Sequence, residues 1–393
     1  MEGAPRVPPA VRRLLETARG VAGRSRTVQA AVARLEGVIL PEHLPDRVRD
    51  PVLGAIASAR AETSGRLPVS EVERQLQDDL DSLDDHPEAV EAHAQTHRGV
   101  LDGKPVRVKV GRPGMAASAR SDLSLLDLMA VPAKAAFPTL DVGPLIREVR
   151  DRAVEELDFE HEAALQRRVG RALRPVEGVR AAAVVLDQCS ECLVVAEAAG
   201  GTSLDDPAAL ENVDRAAVAR RLVTVFCGAP GALGMVLADA RAAETFVEAD
   251  GSVTLQWVGA GREVDPRRLE AAVGAAQALR IDDPEAFALA LRALGLLEHD
   301  DAVAAHALLR AVLGPLVAGP ALLDADALRA AADRVLDRSG EVFALATRVR
   351  PKPEDLWGLR ALAHTVSLLA RLEVEEDWLV LGVAAVTKGW EPG

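Results

Sequence analysis

Lysine is rare in this chain, and one lysine stands where it could do chemistry. Of 46 basic residues only five are lysines, and Lys109 lies in the alternating run Val-Arg-Val-Lys-Val at 106–110. The period of two puts the valines on one face of a strand, with Arg107 and Lys109 on the other. A lysine on the polar face of a strand can hold the phosphates of a nucleotide. The strand therefore raises phosphate binding as a hypothesis, against the simpler interpretation of a surface lysine.

A second chemically suggestive segment is the acidic run 156–162, which has the sequence Glu-Leu-Asp-Phe-Glu-His-Glu. It belongs to a helical pattern over 142–173, in which apolar residues recur at spacings of three and four. Asp158 and Glu162 are four residues apart, so we expect both on one face of this helix. In kinases a helix glutamate holds the phosphate-binding lysine. The simpler interpretation is a solvated acidic helix.

The elements that must position these groups follow in a clear order. Residues 1–82 have helical patterns punctuated by prolines, and 84–110 change to short strands with an Asp-Gly turn at 102–103. A second Asp-Gly turn, at 250–251, predicts a hairpin. After residue 265 the sequence is typical of amphipathic helices separated by prolines. We therefore predict an α+β fold, in which a small sheet carries one long helix and the second half is mainly helical.

The composition limits the classes of function. A net charge of −14 argues against a nucleic-acid-binding protein, which needs a basic surface. Three cysteines, two of them in the Cys-x-x-Cys spacing of 189–192, are too few for a disulfide framework and fit a reducing cytoplasm. The apolar stretch 222–238 is interrupted by Pro230 and is too short to span a bilayer. We expect a soluble, cytoplasmic protein whose basic first helix either packs on its own domain or contacts an anionic membrane surface.

Four segments, in the correct order, resemble the UbiB/AarF family of atypical kinases. The first, 87–98, is similar to the family's alanine-rich nucleotide loop, and the second, 101–114, to its Val-Ala-Val-Lys-Val strand and Arg-Pro-Gly exit. The third, 156–163, is close to the family's Glu-Leu-Asp-Phe helix, and the fourth, 193–201, looks like the hinge between the lobes. Each segment alone is weakly specific, whereas four in order are fairly specific.

The resemblance implies a protein-kinase-like bilobal fold. It divides the chain into a helical N-terminal extension (1–82), an N-lobe with a small sheet (83–198), and a helical C-lobe with a C-terminal tail (199–393). It also implies that Glu162 pairs with Lys109, while Glu156 and Asp158 form the family's own acidic motif. The residues that it associates with ATP binding are Lys109, Glu162, Glu156, Asp158, Ala92, Ala94, Gln95 and Glu197.

The sequence departs from the family pattern in the metal-binding half of the expected active site. The family's catalytic loop, His-Ala-Asp-Pro-His-Pro-Gly-Asn, corresponds to 237–244, where Asp239 keeps the catalytic aspartate and Glu244 replaces the metal-binding asparagine. Trp257 stands at the aspartate of the family's Asp-Phe-Gly motif, and an indole does not bind Mg²⁺. We therefore expect the Mg²⁺ site to be impaired, with Asp239 and Glu244 as its remaining ligands.

The family's N-terminal Lys-x-Gly-Gln motif is also absent, because the first lysine of the chain is Lys104. The resemblance implies a regulatory contact between that motif and Glu156. Without the motif, the sequence does not support this contact.

Three functional hypotheses follow from these matches and departures. The leading one is a degenerate kinase, or pseudokinase, that retains contact with ATP and has a loose link to isoprenoid-quinone or lipid metabolism. The second is a module that binds a protein or a lipid and no nucleotide. The third is an active ATPase or kinase that recruits metal through Asp239 and Glu244.

Overall fold

The N-terminal part of the chain is a set of helices. The computed structural model describes residues 8–63, 65–76 and 80–390, so residues 1–7, 64 and 77–79 of the predicted extension lie outside the described part. Four helices precede the first sheet: α1 (Pro9–Ala22), α2 (Arg26–Ala33), α3 (Asp46–Thr63) and α4 (Val69–Glu73). Helix α2 begins at Ser25, whose hydroxyl accepts a hydrogen bond from the backbone N–H of Val28 (3.0 Å) and so caps the helix.

A five-stranded sheet carries Lys109. Its strands are β1 (Ser82–Leu83), β2 (Ala89–Val90), β3 (Ala94–Leu101) and β4 (Lys104–Gly111), and then, after β5 (Val179–Ala181) of another sheet, β6 (Leu193–Glu197). The strand order is β1-β3-β4-β6, and β2 pairs with β3. Asp102 and Gly103 join β3 to β4 with φ of 51° and 72°, the left-handed conformation that a two-residue hairpin turn requires. The alternation predicted for 106–110 is confirmed, because the three valines form a buried cluster on one face of β4.

The prediction of a single long helix over 142–173 is wrong. Between the sheet strands the chain forms α5 (Met115–Leu123), α6 (Ala130–Ala136), α7 (Val142–Glu155) and α8 (Phe159–Ala172). Asp158 is the N-cap of α8, and its carboxylate accepts a hydrogen bond from the backbone N–H of His161 (3.1 Å). A capping aspartate begins a new helix rather than continuing the old one. Asp158 therefore lies at the end of α8 and does not share a helical face with Glu162 as expected.

The C-terminal half is mainly helical, with short strands near the cleft. Its elements are β7 (Thr202–Ser203), α9 (Arg215–Leu233), β8 (Met235–Leu237), β9 (Thr245–Val247), β10 (Val253–Leu255), β11 (Gly261–Glu263), α10 (Pro266–Ile281), α11 (Pro284–Leu294), α12 (His299–Leu313), α13 (Pro315–Ala318), β12 (Ala321–Leu323), α14 (Ala325–Asp337), α15 (Ser339–Ala346), α16 (Asp355–Ala370), β13 (Val374–Glu376) and α17 (Trp378–Lys388). Strands β9 and β10 are antiparallel, which confirms the predicted hairpin around residues 250–251. The mixed α+β architecture is that predicted from the sequence.

Helix α9 is the centre of the largest hydrophobic core, where Val218, Leu222 and Val225 are fully buried. Helix α17 packs on α9, and Trp390 beyond it donates its indole N–H to the carbonyl of Thr224 (2.9 Å). Among the described residues, α9 is also the one helix long and apolar enough to cross a membrane. Half of its most apolar window is buried inside the protein, as is usual for a core helix.

Candidate functional site

Lys109 and Glu162 form a buried ion pair between β4 and α8. The lysine Nζ lies 2.8 and 2.9 Å from the two carboxylate oxygens of Glu162. Lys109 is 1% exposed and Glu162 is 4% exposed. Each charge would be costly to bury alone, so each requires the other. The structure thus brings together the two residues whose pairing the resemblance implies.

Trp257 fills the space beside this pair. Its indole is buried in a cluster with Ala94, Phe159 and Val194, and its ring centroid lies 5.7 Å from Nζ of Lys109. The Phe159 ring lies 5.4 Å from the same atom. The lysine is therefore flanked by two aromatic rings, which attract a cation through their faces but offer no oxygen to a metal.

Asp239 lies in a cluster of cations rather than on an open surface. Its oxygens are 2.7 Å from Arg34, 3.3 Å from Arg241 and 3.5 Å from Arg360. Burial opposes ionisation of Asp239, but these guanidinium groups outweigh it and hold its pKa well below the usual range. His364 approaches to 3.7 Å, although burial lowers the pKa of this imidazole to about 4 and leaves it neutral near pH 7. Asp239 is thus ionised, with Oδ2 hydrogen-bonded to Arg34 and Oδ1 3.5 Å from Arg360.

The arginine that binds Asp239 most closely comes from the N-terminal extension. Arg34 follows α2 and bridges two carboxylates, because its other terminal nitrogen lies 2.6 Å from Glu156. Arg360 of α16 also donates to Glu156. The extension therefore contacts Glu156 even though it lacks the lysine motif. An arginine makes the contact that the lysine motif was expected to make.

Arg241 occupies the middle of the cleft. It donates to Glu91 in the loop after β2 and lies 3.5 Å from Glu244. Burial raises the pKa of Glu244 to about 7, even though Arg241 opposes this shift. Burial also disfavours ionised Glu91, but Arg241 overcomes this and lowers the pKa of Glu91. One guanidinium is therefore shared among three carboxylates, those of Asp239, Glu91 and Glu244.

These residues do not fit a Mg²⁺ ion. Mg²⁺ requires near-octahedral coordination by oxygen, and its carboxylate ligands must have free lone pairs. The oxygens of Asp239 already face arginine nitrogens, and Trp257 has no oxygen to offer. In the described part of the chain, no group of three or more potential ligands is arranged to hold a metal ion. The guanidinium of Arg241 supplies the positive charge that these carboxylates need.

The remaining predicted site residues are spread over different surroundings. Ala94 lies beside Trp257, whereas Ala92 packs against Ala30 and Ala33 of the extension. Gln95 is on the valine side of the sheet, where its amide bonds to both backbone groups of Leu67. The alternation of β3 places Gln95 on the face opposite Lys109, and its predicted contact with a nucleotide stays a prediction.

The cleft itself is a cavity of about 1030 Å³. Its walls come from the extension, from the loop around β2 and from the C-lobe, and include Arg34, Glu91, Arg241, Glu244 and Trp257. The sequence hypotheses missed Arg34, Arg241 and Arg360. Arg241 could have been noticed, since it stands two residues after Asp239 in place of a family histidine, whereas no local pattern marks the other two.

The fold and the buried lysine–glutamate pair agree with a comparison to known families. Residues 55–286, more than half of the chain, match the family described as the ABC1 atypical kinase-like domain. The chain belongs to this family. Its membership confirms the kinase-like bilobal fold and the UbiB/AarF resemblance seen in the sequence.

Relatives of this ABC1 protein include AarF domain-containing protein kinase 1 of Mus musculus, 27% identical over 140 residues. The mitochondrial atypical kinase COQ8B of Rattus norvegicus is 33% identical over 140 residues. These matches cover about a third of the chain, 35% and 34%, and about a quarter of each relative, 27% and 26%. A solved structure, the complex of Rv3197 with erythromycin from Mycobacterium tuberculosis, covers 97% of both chains with a TM-score of 0.60 and 20% identity. That likeness is one of fold.

Proposed function

We propose that this ABC1 protein is a pseudokinase: it keeps the kinase-like scaffold, does not transfer phosphoryl groups, and acts by binding. The observation that carries the proposal is the pairing of Asp239 with Arg34, Arg241 and Arg360. Family membership supports a role in isoprenoid-quinone or lipid metabolism. The predicted cytoplasmic location stays a prediction, and one relative, COQ8B, is mitochondrial.

The state of Asp239 argues against general-base catalysis. In a kinase the corresponding aspartate accepts the proton of the attacking hydroxyl, which requires an accessible oxygen of sufficient basicity. Arg34 donates to Oδ2 of Asp239 and Arg360 lies 3.5 Å from Oδ1, and despite burial the arginines lower the pKa of this carboxyl. A substrate hydroxyl would have to displace a charge-assisted contact to reach it.

The absence of a fitting metal site argues in the same direction. Phosphoryl transfer depends on positioned cations that neutralise the phosphate oxygens. Here Trp257 replaces one carboxylate, and burial keeps Glu244 partly protonated near pH 7. The retained pair of Lys109 and Glu162 is then an internal link between β4 and α8.

A thermal-shift titration of the full chain with ATP, with and without Mg²⁺, tests this proposal. A pseudokinase gives either no shift or a shift that Mg²⁺ does not change. A rise in the unfolding temperature that requires Mg²⁺ would contradict the proposal and favour an active enzyme that uses Asp239 and Glu244. ADP, which lacks the phosphate that a kinase transfers, is the control ligand for ATP.

A further inference from the structure

One side chain, that of Gln256, forms hydrogen bonds with two backbone groups of the hinge after β6. The backbone N–H of Ala199 donates to Oε1 of Gln256 (2.7 Å), and Nε2 of Gln256 donates to the carbonyl of Glu197 (3.2 Å). Oε1 also accepts from Nη1 of Arg107 (2.7 Å). The amide of Gln256 must be oriented in this way, because its oxygen then accepts from the two N–H donors and its nitrogen donates to the one carbonyl. Gln256 is fully buried.

Arg107 closes the space next to this amide. Its guanidinium lies over the ring of Phe246, 4.4 Å from the ring centroid, so that the N-lobe strand β4 touches strand β9 of the C-lobe. Glu88, in the loop before β2, accepts from Nε and Nη2 of Arg107 at 2.7 and 3.0 Å. The planar guanidinium thus lies over an aromatic ring and makes three hydrogen bonds, an arrangement that suits arginine.

The location of this group is that expected for the base of a bound nucleotide. Arg107 is two residues from Lys109 on the same face of β4, a distance of about 7 Å along the strand. It lies on the hinge side, since it pairs with Ala196 while Lys109 pairs with Val194. If a lysine in this position holds the phosphates, the nucleoside extends from it toward the hinge. A flat base that stacks between two protein surfaces requires about 7 Å between those surfaces, which is twice the van der Waals contact distance.

Building on the proposed function, we propose that Arg107 and Gln256 together are an internal substitute for a nucleobase and close this cleft to purine nucleotides. Arg107 provides the planar group that stacks on Phe246. Gln256 provides the adjacent donor and acceptor that bind the hinge, as the edge of adenine would. The ATP contact that the family resemblance implies is therefore not available to the native chain, although the pair of Lys109 and Glu162 is retained.

Adenosine binding to the full chain tests this inference, because adenosine has a base and no phosphate. We expect no saturable binding by calorimetry at millimolar adenosine for the native protein. The double variant Arg107→Ala, Gln256→Ala opens the space and leaves the hinge groups of Glu197 and Ala199 unpaired. It should bind adenosine at least tenfold more tightly than the native chain, and adenosine should raise its unfolding temperature.

Two controls separate base recognition from a general effect. Arg98→Ala removes another arginine that donates to Glu88, but this residue is exposed on β3 and lies outside the stack on Phe246. It should behave as the native protein does. N6,N6-dimethyladenosine, which lacks the amino hydrogens, should stabilise the double variant less than adenosine.

The outcomes distinguish this inference from the proposed function. Saturable adenosine binding by the native chain would overturn the proposal of an internal substitute, whether or not the double variant folds. It would leave the pseudokinase proposal in place. A folded double variant that binds adenosine no better than the native chain would also overturn the proposal of an internal substitute. Mg²⁺-dependent stabilisation by ATP would instead contradict the pseudokinase proposal.

Discussion

Two buried carboxylates of the cleft, Glu162 and Asp239, are both paired with cations, yet with opposite consequences. Glu162 meets one lysine in a contact that links two elements. Asp239 meets three arginines, so that its basicity is reduced and its oxygens are covered. The pairing of Glu162 thus links β4 to α8, whereas the pairing of Asp239 lowers the basicity of its carboxylate.

The pairing of Lys109 with Glu162 was implied by the family resemblance, which rests on motifs around both residues. The alternation in β4 predicted the face of Lys109, whereas the start of α8 at Asp158 was not predicted. The cluster around Asp239 could not be predicted in this way. Arg34 and Asp239 are 205 residues apart, and no periodicity relates them. Contacts of this kind depend on how whole elements pack.

Glu244 should make stability depend on pH in an unusual direction. Its pKa rises from 4.5 to about 7 on burial, so the folded state keeps a proton that the unfolded state releases. The free energy of unfolding should therefore fall as the pH rises from about 4.5 to 7. Glu244→Gln should remove this contribution, up to about 3 kcal/mol across the window. Denaturant titrations of both proteins at several pH values measure it.

The comparison with Glu244→Gln is necessary because histidines titrate in the same window. Burial lowers the pKa values of His93 and His364, so their contribution to stability rises with pH and opposes that of Glu244. Glu248→Gln, which changes a surface carboxylate on the neighbouring hairpin, is the matched control and should leave the native pH profile unchanged. Parallel pH profiles for the native protein and Glu244→Gln would contradict the assignment.

At the scale of elements, the N-terminal extension contributes directly to the cleft. Arg34 reaches Asp239 and Glu156, and the C-terminal helix α16 reaches the same two carboxylates through Arg360. The sequence predicted the hairpins of the two sheets, because turn residues and alternation are local. It missed the break between α7 and α8, because a capping aspartate inside an amphipathic pattern resembles a continuing helix.

Arg34→Ala should loosen the extension. The change removes the cation nearest to Asp239 and one of the two arginines that bind Glu156, and we expect the free energy of unfolding to fall by about 3 kcal/mol. Hydrogen exchange should accelerate in α2 and α3. Arg60→Ala is the control, since it removes an exposed pair with Glu36 in the same extension and should cost less than about 1 kcal/mol. Equal effects of the two changes would show that Arg34 does not hold the extension on the cleft.

At the scale of the whole molecule, a kinase-like scaffold of the ABC1 family surrounds a cleft that is lined by charged side chains of the N-terminal extension and of the C-terminal half. The alternative of a protein- or lipid-binding module finds some support in a second cavity, about 820 Å³, between α1 and α6. None of the predicted nucleotide residues lines that cavity. The fold could be predicted from four ordered motifs. The pairing of arginines with carboxylates at the cleft depends instead on residues brought together from both ends of the chain.

The most direct test of the central claim is the steady-state release of ADP from ATP by the purified full chain in the presence of Mg²⁺. We predict a rate equal to the protein-free background, which Asp239→Asn does not change, because Asp239 is engaged by arginines and Trp257 provides no metal ligand. A rate that depends on Mg²⁺ and is lost in Asp239→Asn would contradict the account.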